Sequence, residues 1–148
     1  MPGRPDGTID SKEIAVLDGV TAWMQVNSEA IYETRPWKVY GEGPNTVKAG
    51  SFQGDSIRRV GAKDIRFTRN KANNLIYAFM LGWPAAPAVI QSLGLSAPTQ
   101  PGKIVKVELL GTDATVKWKQ LPESLQVELP ADYKPPVDFA AALKVTLA

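Results

Sequence analysis

Residues 23–37, which read WMQVNSEAIYETRPW, mark the point where the chain changes from one kind of secondary structure to another. The stretch begins inside a helical pattern and leaves it near Asn27. It ends at Arg35-Pro36-Trp37, where proline excludes a continuing helix because it has no amide hydrogen to donate. Downstream of it, apolar residues recur at every second position. The stretch is therefore predicted to join one helix to a β-sheet structure.

The helix is predicted to start at Asp10, whose carboxylate can accept hydrogen bonds from the free amides of the first turn, with Glu13 completing a capping box. An apolar row then follows one face of the helix. It consists of Ile14, Leu17, Val20, Met24 and Ile31. The apolar stripe is wider than docking on one surface requires, so the helix should have neighbours on two sides. We expect the row either to fold back on the sheets or to pair with a second copy of the chain.

The strands are predicted from alternation of apolar and polar residues. Ile65 and Phe67 alternate with polar neighbours, whereas residues 75–83 are apolar on both faces and indicate a central strand. Residues Ala88–Leu93 are predicted to form one short strand. The inward-facing residues of the other predicted strands are Val105, Val107 and Leu109; Val116 and Trp118; Leu125, Val127 and Leu129; and Phe139, Ala141, Leu143, Val145 and Leu147. Six or seven such strands predict an antiparallel β-sandwich of Greek-key or jelly-roll type, preceded by one α-helix.

Two segments are predicted on this basis. Residues 1–44 contain a loop, the helix and the connecting strap, and residues 45–148 form the sandwich, with one short strand possible around Ser51-Phe52 and Ile57. The longest apolar run, residues 75–81, is too short for a membrane-spanning helix. The first seven residues carry no apolar core of the kind found in signal peptides. We therefore expect no membrane association.

Composition excludes several classes of chemistry. The chain of 148 residues has no cysteine and no histidine, which removes Ser-His-Asp and Cys-His catalysis and most zinc sites. The net charge of +2 arises from 17 basic and 15 acidic residues that are interspersed, so no nucleic-acid partner is expected. Arg58-Arg59 is interpreted as part of a solvated loop. No metal ion and no cofactor are predicted.

The strap NSEAIYETRPW, residues 27–37, closely resembles the NGEAIYGTRPW strap of the α-L-fucosidases of glycoside hydrolase family 29. Further pieces that resemble this family follow in order: residues 5–9 (PDGTI), 40–44 (YGEGP), 64–68 (DIRFT), 77–84 (YAFMLGWP), 109–111 (LLG), 116–118 (VKW) and 142–145 (ALKV). The resemblance covers essentially the whole chain. It implies that the helix corresponds to the closing helix of the catalytic barrel, and the strands to the C-terminal sandwich.

The resemblance also bears on catalysis. Family members cleave terminal α-L-fucose with retention, using an aspartate nucleophile and a carboxylic acid/base about 5 Å apart. Both carboxylates belong to the barrel, and a (β/α)₈ barrel requires about 250 residues. Most of this chain is needed for the sandwich, so no residue here is expected to take either catalytic role. The resemblance further implies a secreted, periplasmic or lysosomal parent enzyme that acts on fucosylated glycans.

Ser28 and Glu33 depart from the family pattern, which has glycine at both positions. Because glycine disfavours helices, these replacements are expected to let the helix extend beyond Asn27.

Candidate site residues lie at the junction. Glu29 and Arg35 flank the strap, where a salt bridge is favoured over a substrate contact. Trp37 is the best candidate for an exposed sugar-stacking platform, although packing between the helix and the sandwich is favoured over that role. Glu108 and Glu128 are interpreted as solvated strand residues rather than a catalytic pair.

Three functions remain open from the sequence. The first is the C-terminal region of a retaining α-L-fucosidase, inactive on its own. The second is an independent carbohydrate-binding module, which rests on fold-level analogy. The third is a structural or assembly domain that pairs through the apolar row of its helix.

Overall fold

The computed structural model describes residues 6–45, 60–84 and 87–148. Helix α1 spans Ser11–Asn27, and the Asp10 carboxylate accepts the Lys12 amide at 2.9 Å, which confirms the predicted N-cap. A single 3₁₀ turn, Ser28–Ala30, follows directly. The prediction that α1 continues beyond Asn27 is therefore wrong. Glu33 instead adopts the left-handed conformation, with φ of 58°, that a glycine adopts most readily.

Eight strands lie in the described part of the chain. They are β1 (Thr34–Glu42), β2 (Ile65–Asn70), β3 (Leu75–Met80), β4 (Ala88–Ile90), β5 (Ile104–Leu109), β6 (Lys117–Gln120), β7 (Leu125–Glu128) and β8 (Ala141–Leu147). They form a five-stranded sheet in the order β1-β2-β3-β8-β5 and a three-stranded sheet in the order β4-β7-β6. Every pairing is antiparallel. The predicted antiparallel sandwich preceded by one α-helix is confirmed.

The main core lies between the two sheets, where the alternating residues of both inner faces meet. Its most deeply buried members include Ile76, Met80, Ile90, Leu93, Leu125, Val127, Leu143 and Val145. Trp37 and Phe67 add an edge-to-face aromatic pair with centroids 5.2 Å apart. β3 is buried on both faces, because Tyr77 and Phe79 on its outer side are covered as well.

The end of the strap belongs to a strand of the sandwich. β1 pairs antiparallel with β2, so Thr34–Glu42 forms one edge of the five-stranded sheet rather than a connector lying outside it. The predicted boundary at residue 44 places these residues with the helix, whereas their hydrogen bonding places them with the sheet. The short strand predicted around Ser51-Phe52 and Ile57 lies outside the described residues, as do Arg58-Arg59.

Two predicted inward positions are exposed. Val105 is 50% exposed because the register of β5 against β8 shifts between Ile104 and Lys106, and this bulge makes Ile104 the buried residue. Phe139 precedes β8 and contacts the helix: a Cβ at Gly19 would lie 2.9 Å from the Phe139 ring, which would have to shift to accommodate it. The inner row of β8 therefore begins at Ala141.

Two carboxylates stabilise one end of the sandwich. Glu42 accepts the backbone amides of Gln91 and Ser92, each at 2.7 Å, and so links β1 to the turn after β4. Asp64 is 1% exposed and accepts the amides of Asn45 and Gly61, each at 2.9 Å. Burial alone would raise the pKa of Asp64, but the hydrogen bond from the Asn45 side-chain amide, together with those from the two backbone amides, outweighs it and the pKa is lowered.

Candidate functional site at the helix–sandwich junction

Trp23 is the main contact between α1 and the outer face of the five-stranded sheet. Its Nε1 donates to the Ala140 carbonyl at 2.8 Å, and its ring lies 6.1 Å from that of Phe79. These groups belong to a second, smaller apolar cluster whose buried members are Ala30, Tyr77, Phe79 and Ala142. The C-terminal half of α1 is therefore fixed to the sandwich through one large aromatic side chain.

The turn after α1 is fixed by a second contact. Thr68 on β2 donates its hydroxyl to the Ala30 carbonyl at 2.8 Å, and Ala30 is completely buried. Asn27 is also buried, and its side-chain amide donates to the Trp23 carbonyl at 3.0 Å. The Thr68 bond fixes the turn after α1 to β2, and the Asn27 bond ties the side chain of the last helical residue to the preceding turn.

Glu29 lies in the same turn and forms an ion pair with Lys144 of β8 at 3.1 Å. In the sheet register, Lys144 lies between Tyr77 on β3 and Glu108 on β5. Burial would lower the pKa of Lys144, but the hydrogen bond and charge of Glu29 outweigh it and raise that pKa. Burial, with the Glu29 charge, raises the pKa of Tyr77. At neutral pH this group is a charged pair beside a neutral phenol, which suits a structural contact.

The predicted site residues are not brought together. Glu29 forms the junction salt bridge favoured by the sequence, with Lys144 as its partner. Arg35 lies elsewhere, on β1, directly opposite Arg69 of β2. Trp37 is 8% exposed and packs on Phe67 within the core between the sheets. The hypothesis that Trp37 is an exposed platform is therefore wrong, and its packing partner is the core rather than the helix.

The other acidic candidates are also separated. Glu108 lies on the five-stranded sheet with Lys106 at 2.7 Å, and Glu128 lies on the three-stranded sheet with Lys117 at 4.0 Å. Over residues 6–45, 60–84 and 87–148, no group of three or more acidic, histidine or cysteine side chains is placed to hold a metal ion. No helix in those ranges has the length and apolarity needed to cross a bilayer.

The N-terminal half of α1 presents an exposed apolar face. Ile14 is 45% exposed, Leu17 41% and Val20 47%, and Val16 lies beside them. The expectation that this row folds back on the sandwich is wrong for these residues; Met24 is partly covered, and Ile31 is exposed in the turn beyond the helix. We call Ile14, Val16, Leu17 and Val20 the helix face.

Trp23, Tyr77 and Lys144 are the junction residues that sequence reasoning misses. In the sequence, Trp23 only widens the apolar stripe of the helix, and Tyr77 is one residue of a strand that is apolar on both faces. Lys144 occupies an outward position of an alternating strand, which ordinarily indicates solvent. Its proximity to Glu29, 115 residues away along the chain, follows only from the sheet order.

A family model for the C-terminal domain of alpha-L-fucosidases matches residues 55–146. The chain belongs to this family. The tissue alpha-L-fucosidase of Mus musculus is 31% identical over 134 residues, covering 88% of this chain and 24% of that protein. The plasma alpha-L-fucosidase of Homo sapiens is 30% identical over 126 residues, covering 84% and 22%. This fucosidase C-terminal domain therefore spans about a quarter of the length of these relatives.

Solved structures share the fold. Alpha-L-fucosidase isoenzyme 1 from Paenibacillus thiaminolyticus superposes with a TM-score of 0.65 at 23% identity, over 99% of this chain and 29% of that one. Thermotoga maritima alpha-fucosidase, solved with a mechanism-based inhibitor, gives a TM-score of 0.66 at 23% identity, over 97% and 28%. The superposed portion includes nearly all of this chain, so the helix and the sandwich occur together in those folds. The family resemblance seen in the sequence is confirmed.

Proposed function

We propose that this chain is the C-terminal region of a retaining α-L-fucosidase and that its sandwich supports a catalytic barrel formed by residues outside 1–148. Alone, the chain is inactive, and it acts on fucosylated glycans only as part of the longer enzyme. The proposal is supported by the family membership and by the small share of each relative that the chain covers. It also agrees with the side chains present, because Glu29, Glu108 and Glu128 each have a lysine partner.

The helix face is the observation on which the proposal depends most. Four large apolar side chains are exposed there, although burial of apolar area stabilises a protein by about 25 cal/mol per Å². Trp23, one turn beyond Val20 on the same side of the helix, is already packed against the sheet. The barrel is the occupant that we assign to this face, because solved fucosidase chains superpose on nearly all of this chain and continue well beyond it.

Hydrolysis of an aryl α-L-fucoside tests the inactivity of the chain. We expect purified 1–148 to release no aryl alcohol above the rate of the buffer, while an active α-L-fucosidase in the same buffer releases it readily. Turnover that scales with the concentration of 1–148 and survives repurification would refute the proposal.

A second copy of the chain is the competing occupant of the helix face. Light scattering after gel filtration distinguishes the two, using Val20→Asp on the helix face and Val105→Asp on β5 as a control of the same chemistry and similar exposure. If the barrel is the occupant, wild type and both variants are monomers at micromolar concentration. A wild-type dimer that only Val20→Asp dissociates would assign the face to self-association and the chain to the assembly function.

The carbohydrate-binding alternative has no specific observation in its favour. The largest exposed aromatic side chains, Tyr32, Tyr40 and Phe139, lie on three separate elements of the described chain. A shallow depression of about 660 Å³ beside β4 is lined by serine, threonine and proline residues together with Val89, Gln91, Ala97 and Glu123, and it has no aromatic ring on which a sugar could stack. Titration with fucose and fucosylated oligosaccharides should give no saturable signal at millimolar ligand.

A further inference from the structure

Arg35 of β1 and Arg69 of β2 are directly opposite each other in the register of the five-stranded sheet. Residues in this relation project from the same face, with Cβ atoms about 4.5–5.5 Å apart. Like charges placed in this way repel each other and destabilise a strand pair. The packing of the sheet itself does not favour this pairing.

The two arginines lie at the rim of an apolar region. Arg69 is opposite Ile76 of β3, which is buried in the core between the sheets. Two residues along their own strands, on the same face, lie Trp37 and Phe67, which form the edge-to-face pair. Arg35 is exposed and Arg69 is partly exposed, so an anion from the solvent can reach both side chains.

The nearby carboxylates are engaged elsewhere. Glu33 forms its ion pair with Lys71, at the start of the β2–β3 turn. Glu42, at the far end of β1, accepts the amides of Gln91 and Ser92. Within the described ranges, the ion pairs of the chain involve neither Arg35 nor Arg69. The two positively charged residues are thus neighbours on the sheet, and neither has an acidic partner in the described part of the chain.

We propose that Arg35 and Arg69 together bind a tetrahedral oxyanion, a sulfate or phosphate group that is either free or carried as an ester on a sugar. A guanidinium presents its N–H donors in a planar fork that matches such oxygens, and hydrogen bonds of this kind are among the strongest in proteins. An anion between the two groups replaces their repulsion with two attractions. The site is on the opposite sheet face from the Glu29–Lys144 pair, and it does not depend on the proposed fucosidase role.

Calorimetric titration with sodium sulfate, in a chloride buffer of constant ionic strength, tests the site directly. Wild type should bind saturably. Arg35→Gln and Arg69→Gln should each weaken binding on the order of tenfold or more, because either change removes half of the donor set. Lys119→Gln is the control, because it removes one exposed positive charge from β6 in the other sheet. No saturable binding to wild type, or equal weakening in all three variants, would overturn the proposal.

Thermal unfolding provides an independent reading that does not depend on detecting weak heats. In low-salt chloride buffer, Arg69→Gln should raise the Tm above that of wild type, because it removes the repulsion. Sulfate at the same ionic strength should then raise the Tm of wild type more than that of Arg69→Gln. A Tm difference between the two proteins that is the same with and without sulfate would contradict the site.

Glucose 6-sulfate and inorganic sulfate distinguish the two sources of the anion. Equal affinity for both assigns the site to the free anion. Tighter binding of the sugar ester, lost in Arg35→Gln, assigns it to an anionic glycan. Failure of both ligands to bind would refute the site while leaving the fucosidase assignment untouched, because that assignment is tested by hydrolysis of an aryl fucoside.

Discussion

The two faces of the five-stranded sheet are covered to very different degrees. The inner face meets the three-stranded sheet in a core whose central residues are completely buried. The outer face carries a cluster with four buried residues, and the helix that covers it leaves its own N-terminal half exposed. Both faces belong to the same sheet, yet only the inner one is closed by residues of the described chain.

This difference distinguishes the part of the chain that stabilises the fold, the core between the sheets, from the part that is available to another domain or chain, the helix face. Packing between the sheets is dense and involves many residues, as in independently stable sandwiches. The helix depends on Trp23, one buried turn and an ion pair. The sandwich should therefore be stable alone, while α1 should be the part of the molecule whose behaviour changes most when the helix face is covered.

The largest expected effect is in the core. Leu143→Ala removes a fully buried side chain from the center of β8 and should lower the free energy of unfolding by about 3 kcal/mol. Leu17→Ala makes the same chemical change on the helix face and should cost no more than about 0.5 kcal/mol. Urea unfolding of the two variants compares them. Equal losses would show that the helix face is buried in solution.

Trp23→Ala should lower the free energy of unfolding by about 2 kcal/mol, because it removes a half-buried ring and the donor to the Ala140 carbonyl. The helical circular-dichroism signal should decrease at temperatures where the sandwich is still folded. Trp23→Phe is the matched control, because it keeps a ring beside Phe79 while it loses the hydrogen bond and part of the ring volume. A single transition that moves as one unit in Trp23→Ala would contradict separate anchoring of α1.

Asp64→Asn should lower the free energy of unfolding by about 1.5 kcal/mol at pH 7, because the amide group replaces an acceptor with a donor facing buried N–H groups. The pKa of Asp64 is lowered in the folded protein, so its contribution is present above the ordinary aspartate pKa of about 3.9 and is lost as the pH falls through the folded value. Unfolding at pH 7 to 3 should therefore show a smaller acid-induced loss in Asp64→Asn than in wild type. An identical pH dependence would exclude this role for Asp64.

The smallest effect is expected at the junction ion pair. A double-mutant cycle of Glu29→Gln and Lys144→Met should give a coupling of about 0.5 kcal/mol, because the pair is partly exposed and screened by solvent. The coupling should decrease in high salt. A coupling several times larger and insensitive to salt would show that this ion pair, rather than Trp23, is the main contact that holds α1 to the sandwich.

Sequence reasoning predicted the elements that depend on local patterns. The cap at Asp10 follows from neighbouring residues, as does the alternation of Ile65 and Phe67 with polar residues. Both predictions are confirmed. The resemblance of the strap and the later segments to α-L-fucosidases also predicted the family, and this prediction is confirmed.

The predictions that failed depend on contacts between distant parts of the chain. Trp37 is buried because β1 joins β2 at the sheet edge, and Val105 is exposed because of a bulge against β8. The Glu29–Lys144 contact likewise needs the strand order, and Glu33 accepts a left-handed conformation that the sequence pattern assigned to a helix. Of these features only the conformation of Glu33 had a local signal, because the family pattern has glycine at its position.

Amide hydrogen exchange of the isolated 1–148 chain tests the contrast between the sandwich and the helix most directly. The amides of β3 and β8 should exchange only through global unfolding, whereas those in the first half of α1 should exchange orders of magnitude faster through local opening. Protection of residues 14–20 equal to that of β8 at micromolar concentration would contradict the contrast, because it would require the helix face to be covered without any further body.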